Sequence, residues 1–204
     1  MDGVIVLSVE PCPGGKRRLH LNNGETWILY RGELHSCSLA EGSELSQMQY
    51  EQIRHDIIGK RAKKRAMYLL EKMDRTEQGL RKKLLEGEYP PDLVEEAIAY
   101  VKSYHYVDDA RYADCYVRLH GASKSRGKLL TELQQKGIDR ELADRVLAEH
   151  DEARDEPELI RQLLQKRNYD SKEATLQEQR RMYGYLARRG FRSADICRAM
   201  RKDF

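Results

Sequence analysis

The stretch Leu129–Leu147, LLTELQQKGIDRELADRVL, sets the pattern for most of the chain. Leu129 and Leu133 are one helical turn apart and share a face. Gly137 stands where a helix C-terminus takes a left-handed residue, and Ile138 follows the bend. Asp139 is placed to cap a second helix, whose stripe is Leu142, Val146 and Leu147. Two short helices with one apolar stripe each cannot bury those stripes alone, so the pair needs neighbours.

The same spacing recurs twice. Leu80, Leu84, Tyr89, Leu93 and Ile98 repeat it upstream, and Met182, Leu186, Phe191 and Met200 repeat it downstream. The pivots Tyr89, Ile138 and Phe191 lie 49 and 53 positions apart. Gly137 corresponds to Gly190 in the last copy and to Glu88 in the first, where Pro90 and Pro91 restart the helix. A helical segment precedes each pair, at Ala62–Met73, Asp109–His120 and Pro157–Arg167. The expected fold is therefore mainly α, an elongated array of three tandem three-helix repeats. The repeats are placed at residues 62–107, 108–154 and 155–204.

The N-terminal part differs in kind. Val4–Leu7 with Val9 reads as a strand, and Arg17–Leu21 and Glu25–Tyr30 flank Asn22-Asn23-Gly24, a strong hairpin signal. Leu34–Leu39 is read as a further strand. So few strands need support, from the first helix or from a partner. Residues 1–44 form this small β unit and 45–61 a connecting helix, capped by Ser46 and carrying Tyr50, Ile53 and Ile57. Gly59 either interrupts that helix or lies within one longer helix. Thr76, Ser125 and Ser193 are read as caps of later helices, and Asp155-Glu156-Pro157 as the opening of the third repeat.

Charged residues make up 35% of the 204, with a net charge of +3 that conceals segregation. Lys60–Lys83 holds ten basic and three acidic residues, and Arg161–Lys202 twelve and four. Asp92–Asp114 and Asp139–Glu158 are acidic. Alternating zones along an array suit a large polar partner, while each block taken singly reads equally well as a solvated helix face. Cys12, Cys37, Cys115 and Cys197 never form CxxC, and the six His form no pair at ligand spacing, so neither metal nor cofactor is expected. No phosphate loop, GxSxG or HExxH is present, and catalysis is not expected. The absence of a leader or apolar span points to the cytoplasm and no membrane.

At the link between the first two repeats the sequence reads Tyr104-His105-Tyr106-Val107-Asp108-Asp109-Ala110-Arg111-Tyr112-Ala113. It resembles the signature of the bacterial RecX regulatory proteins, Gly/Asn–Tyr–Leu/Val–Asp–Asp–x–Arg–Phe/Tyr–Ala. Thr76–Leu84, Leu129–Ile138 and Tyr185–Phe191 are similar to three further family segments, so the resemblance covers residues 62–204. The part before it resembles the N-terminal extension of some members. His105 departs from the usual Gly or Asn, and Glu88 and Gly79 from the commoner Gly and acid. The signature reads as structural: Asp108 as a helix cap, Asp109 in the first turn, Arg111 reaching back to Asp108, and Tyr106, Tyr112 and Ala113 as packing.

The resemblance implies a modulator, mainly an inhibitor, of the RecA recombinase. Such a protein binds in the groove of the RecA–DNA filament and limits its growth, ATP hydrolysis, strand exchange and coprotease activity. Some members also bind single- or double-stranded DNA. The candidate contacts are the basic residues: Arg61, Lys63, Lys64 and Arg65, with Lys82 and Lys83 in repeat one. Lys124, Arg126 and Lys128 line a helix N-terminus that also favours phosphate. Arg180, Arg181, Arg188, Arg189 and Arg192 crowd repeat three, with Tyr183 and Tyr185 between them either to stack bases or to face the core. A helical DNA- or RNA-binding protein independent of RecA, and a repeat scaffold for another protein, are the rival readings. A monomer is the expected state.

Overall fold

A recurring turn at helix ends organises the chain. In the computed structural model, which describes residues 3–151 and 155–201, Ser38, Glu88, His105, Gly137, Asn168 and Gly190 all take left-handed φ, between +51° and +87°. In each case the next residue is apolar, and its N–H reaches back to a carbonyl five residues earlier. The pairs are Leu39 to Leu34, Tyr89 to Leu84, Tyr106 to Val101, Ile138 to Leu133, Tyr169 to Leu164 and Phe191 to Leu186. This turn satisfies orphan carbonyls of the helix end and, in every pair but Val101 and Tyr106, brings the two apolar side chains into one core. Tyr89, Ile138 and Phe191 are the pivots of the fifty-residue period.

Residues 1–108 and 109–204 form two compact units. In the first, strands β1 (Val4–Cys12), β2 (Lys16–Leu21) and β3 (Thr26–Tyr30) precede helix α1 (Arg31–Ser36) and the short strand β4 (Glu44–Leu45). The antiparallel sheet runs in the order β3-β2-β1-β4, with Leu19 opposite Trp27 and Val6 opposite Leu21. Asn22-Asn23-Gly24 makes the expected hairpin turn, with Gly24 at φ +84°.

The segment Leu34–Leu39 is not a strand. The Glu33 carboxylate accepts from the Tyr30 N–H at 2.7 Å and starts a helical turn there, and the left-handed Ser38 closes it. The strand that completes the sheet lies further on, at Glu44–Leu45.

Ser46 caps α2 (Gln47–Gln52) in a reciprocal capping box with Gln49. The helix then continues without a break through a π-helical segment, Ile53–Gly59, into α3 (Lys60–Lys72). Gly59 therefore lies within one long helix. The Lys60 N–H donates to the His55 carbonyl, five residues back, and the π segment widens the helix beneath the sheet. Val6, Leu19, Trp27, Leu29 and Leu45 of the β unit pack there on Tyr50, Ile53 and Ile58, and on Leu93 of α5 (Pro91–Ser103). The small sheet is thus supported by its own first helix.

With α4 (Glu77–Leu85), helices α3 and α5 form the first three-helix repeat around Ala62, Ala66, Leu80, Leu84, Ala97 and Val101. The second repeat is α6 (Asp109–His120), α7 (Arg126–Gln135) and α8 (Arg140–Glu149), centred on Val117, Leu129, Leu133, Ile138 and Leu147. The third is α9 (Glu156–Gln165), α10 (Leu176–Arg188) and α11 (Ser193–Met200), centred on Ile160, Leu164, Leu186, Phe191 and Ile196. Residues 152–154 and 202–204, at the ends of the second and third expected repeats, lie outside the described residues.

Thr76, Ser125, Asp139, Asp155 and Thr175 each accept an N–H of the following first turn, as N-caps do. Ser193 does not cap α11. The helix begins one residue earlier at the Arg192 backbone, and the Ser193 hydroxyl instead accepts from the Tyr183 hydroxyl at 2.8 Å.

Repeats two and three meet through backbone. The Ser125 hydroxyl donates to the Arg189 carbonyl, and a methyl group on Gly127 would lie 2.5 Å from the Gly190 carbonyl oxygen. A methyl on Gly190 would lie 2.7 Å from the Lys128 nitrogen. Gly190 also needs φ +81°, which costs an L residue roughly 1–2 kcal/mol before any clash. Gly190→Ala is therefore expected to destabilise the protein by at least about 2 kcal/mol in urea denaturation. An exposed control, Ala122→Gly, should shift it by less than about 1 kcal/mol.

Candidate interaction surface

Several of the basic residues singled out by sequence are committed inside the fold. Arg61 is the clearest. Its guanidinium donates to the Glu33 carboxylate at 2.6 Å and to the Ile28 carbonyl, and it lies 5.3 Å and 5.8 Å from the ring centres of Tyr30 and Tyr89. With its side chain only 18% exposed, it ties the β unit to repeat one. Lys63 lies 3.5 Å from Glu96 and over Tyr100. Lys64, Arg65, Lys82 and Lys83 are exposed. Arg65 lies over Tyr68 and Lys83 pairs with Glu86 at 2.7 Å, whereas Lys64 and Lys82 have no ion pair among the described residues.

The opening of α7 is occupied from within the chain. Its first backbone N–H, that of Arg126, donates to the Glu156 carboxylate, and the Arg189 carbonyl occupies the Ser125 hydroxyl. The side chains are engaged as well. Lys124 donates to Glu132 at 2.7 Å and to the Tyr116 hydroxyl at 3.2 Å, Arg126 pairs with Asp144 at 3.2 Å, and Lys128 lies 3.7 Å from Glu132. Sequence spacing shows a helix N-terminus with three cations. It does not show that the next repeat brings a carboxylate and a helix C-terminus to the same place.

Repeat three is different. Arg180, Arg181, Arg188, Arg189 and Arg192 are all exposed, and none has an ion-pair partner among the described residues. On α10, Arg181, Tyr185 and Arg188 share one flank, while Leu176, Arg180 and Tyr183 share the other. Tyr185 is part of the core edge, with the guanidinium carbons of Arg167 and Arg189 at 4.5 Å and 4.8 Å from its ring centre. Arg167 is not among the basic residues that the sequence motifs pick out. Its only signal is its place at the end of α9, and the contact depends on how α9 packs against α10. Tyr183 is more exposed and bonds to Ser193.

Repeat one also holds a side-chain network that sequence spacing only partly shows. Glu77 accepts from Lys102 at 2.6 Å and from Arg81 at 2.9 Å, and Arg81 donates to Glu95 at 2.6 Å. The hydrogen bonds from Lys102, and then from Arg81, hold the Glu77 carboxyl below its ordinary value of 4.5. On the second unit, Tyr112 and Tyr116 stack 6.4 Å apart with Lys136 over both rings. Among the described residues no group of three or more His, Cys, Asp and Glu is arranged to hold a metal, and no helix is long and apolar enough to cross a membrane.

Three family models match the chain in order. RecX's first three-helix domain matches residues 62–100, its second residues 108–147 and its third residues 155–200. The chain belongs to the RecX family. It is 30% identical over 163 residues to the regulatory protein RecX of Caldanaerobacter subterraneus subsp. tengcongensis, covering 79% of this chain and 80% of that one. With the regulatory protein RecX of Trichlorobacter lovleyi it shares 34% identity over 142 residues, which is 66% of this chain and 90% of the other. A crystal structure of regulatory protein RecX superposes with a TM-score of 0.63 at 25% identity, over 94% of this chain and 96% of that one.

His105, where the family signature carries Gly or Asn, sits at φ +56°, a left-handed position that those residues adopt at lower cost. Tyr106 is 48% exposed and is not the buried packing residue expected of it; it stacks on Tyr104, with ring centres 5.8 Å apart. Val107 and Ala113 are the buried members, on either side of the link, and Tyr112 is half-buried. Asp109 opens α6, directly after Asp108, and Arg111 lies exposed in its first turn.

Arg61→Met leaves the Glu33 carboxylate and the Ile28 carbonyl without their donor, and is expected to cost roughly 2–3 kcal/mol in urea denaturation. A carboxyl whose pKa is depressed by folding stabilises above its unfolded value and loses that contribution as pH falls toward the folded value. The melting temperature should therefore fall between about pH 5 and pH 3, and Glu77→Gln should melt lower at pH 7 but show a shallower fall.

Proposed function

We propose that the chain is a non-catalytic regulator, chiefly an inhibitor, of the RecA recombinase, acting on the RecA–DNA filament from the cytoplasm as a monomer. It lies in the filament groove and limits filament growth, and with it ATP hydrolysis, strand exchange and coprotease activity. Family membership supports the regulatory role. The observation that carries the reading to this chain is the set of exposed arginines on repeat three, Arg180, Arg181, Arg188, Arg189 and Arg192, without ion-pair partners among the described residues.

Cations already paired inside a fold gain little from a partner, because a new contact must replace the old one. Unpaired cations keep their attraction for an acidic or phosphate-bearing surface. Of the basic groups, those of repeat three are therefore the main electrostatic contact with the filament, whether through protein or through DNA. Lys64, Arg65 and Lys82 supply a lesser one. Arg61, Lys124 and Arg126 hold the fold.

The decisive measurement is RecA ATP hydrolysis on single-stranded DNA, with this protein titrated in well below one copy per RecA subunit. Loss of hydrolysis at such ratios supports action on the filament. Loss only when the DNA itself is coated favours simple DNA binding, and no loss at any ratio overturns the reading. Arg188→Glu with Arg189→Glu is expected to raise the protein concentration for half-inhibition by at least about tenfold in a variant that circular dichroism shows to be folded. Unchanged inhibition would remove repeat three as the main contact. Inhibition should weaken with added salt less steeply than binding to bare DNA.

A further inference from the structure

The two flanks of α10 carry different surfaces. The flank of Arg181 and Tyr185 borders a cleft whose lining includes Asp170, Glu173 and Glu178, so its cations have carboxylates close by. The other flank borders a groove of about 390 Å³ between α10 and the end of α11. Its lining is Leu176, Tyr183, Cys197 and Met200, with Tyr169 and Gln179 at its edge, and its charged members are Arg180 and Arg201. Among the described residues no carboxylate lines this groove. Arg180 and Arg201 have no ion-pair partner among the described residues, and Leu176 is 74% exposed.

An apolar floor with a cation on each wall defines its own complement. The matching ligand places one or two apolar side chains on Leu176, Tyr183 and Met200, and carboxylates on either side of them for Arg180 and Arg201. Methionine adapts its shape to such side chains at small cost. A nucleic acid fits less well. Its phosphates would find two cations and its sugars would desolvate against Leu176 and Met200, while the rings in the lining are the half-buried Tyr169 and Tyr183, whose hydroxyl is held by Ser193.

We infer that the groove formed by Leu176, Arg180, Tyr183, Met200 and Arg201 is a docking site for an acidic polypeptide segment with an apolar anchor. It takes the protein component of the target, not its DNA. The inference rests on the proposed function only for the identity of that protein, and it is tested without the filament.

The test is fluorescence anisotropy on the full chain with three fluorescein-labelled probes. These are a twelve-residue peptide of glutamates around two leucines, the same peptide with serine for leucine, and a thymidine oligonucleotide. The leucine peptide is expected to bind at least about tenfold more tightly than the serine peptide. Arg180→Glu should weaken that binding about tenfold or more, and Leu176→Ser by several-fold. Lys166→Glu, the same charge change on an exposed residue outside the groove, should alter it less than about twofold.

Circular dichroism melting confirms that each variant is folded. Equal binding of the two peptides, or indifference to Arg180→Glu in a folded variant, overturns the inference. So does oligonucleotide binding that Leu176→Ser abolishes, or a concentration-dependent dimer in sedimentation that the same change disrupts. If peptide docking fails while sub-stoichiometric inhibition of ATP hydrolysis persists, the groove is wrong and the regulator stands. The reverse pattern leaves the groove and removes the RecA reading.

Discussion

The constraint on which the fold depends is the left-handed turn that ends its helices. At each such end one residue gives up ordinary backbone geometry, and the N–H after it reaches back five residues to a helical carbonyl. The reward is that an apolar residue at each end of the turn is buried in the same place: Leu133 with Ile138, Leu84 with Tyr89, Leu186 with Phe191. This fixes the angle at which one short helix leaves another. Three-helix repeats then close around their own cores, though most of their helices are too short to be stable alone.

Where the turn uses glycine the geometry is nearly free, and elsewhere it is held by context. Glu88 stands at φ +59° and its carboxylate makes two hydrogen bonds of 2.7 Å with Arg18 of the sheet. The residue that departs from the glycine pattern of the later repeats is thus also the one that touches the β unit. At the junction of repeats two and three glycine is required for another reason. Gly127 and Gly190 let a helix start and a helix end approach through backbone, leaving no space for a methyl group. The same contact packs the end of α10 against the N-terminus of α7.

Electrostatics divide along the chain in a way that charge counts alone do not reveal. The basic blocks around residues 60–83 and 161–202 have similar excess charge, yet their fates differ. In the first, Arg61, Lys63, Arg81 and Lys83 meet carboxylates from the β unit or from α4 and α5. In the third repeat the arginines of α10 face outward, and among the described residues carboxylates line the cleft on one flank and not the groove on the other. The cations of the first block are thus largely held by the fold, while the arginines of α10 have no ion-pair partner among the described residues.

The repeats, their period, most caps and the hairpin were legible in the sequence, because each depends on residues within a few positions of one another. Leu–x4–apolar spacing, Ser or Thr before a helix, and Asn-Gly between alternating runs all report local physics. The family signature was legible for the same reason, being a continuous run. What tertiary structure alone decided was pairing at a distance: Arg61 with Glu33, Arg126 with Glu156 and Asp144, Arg167 with Tyr185. It also decided that Leu34–Leu39 becomes a helical turn and Tyr106 stays exposed. A basic residue looks the same in sequence whether or not a carboxylate awaits it across the fold, and only the packing of helices brings that carboxylate into range or leaves the cation to the solvent.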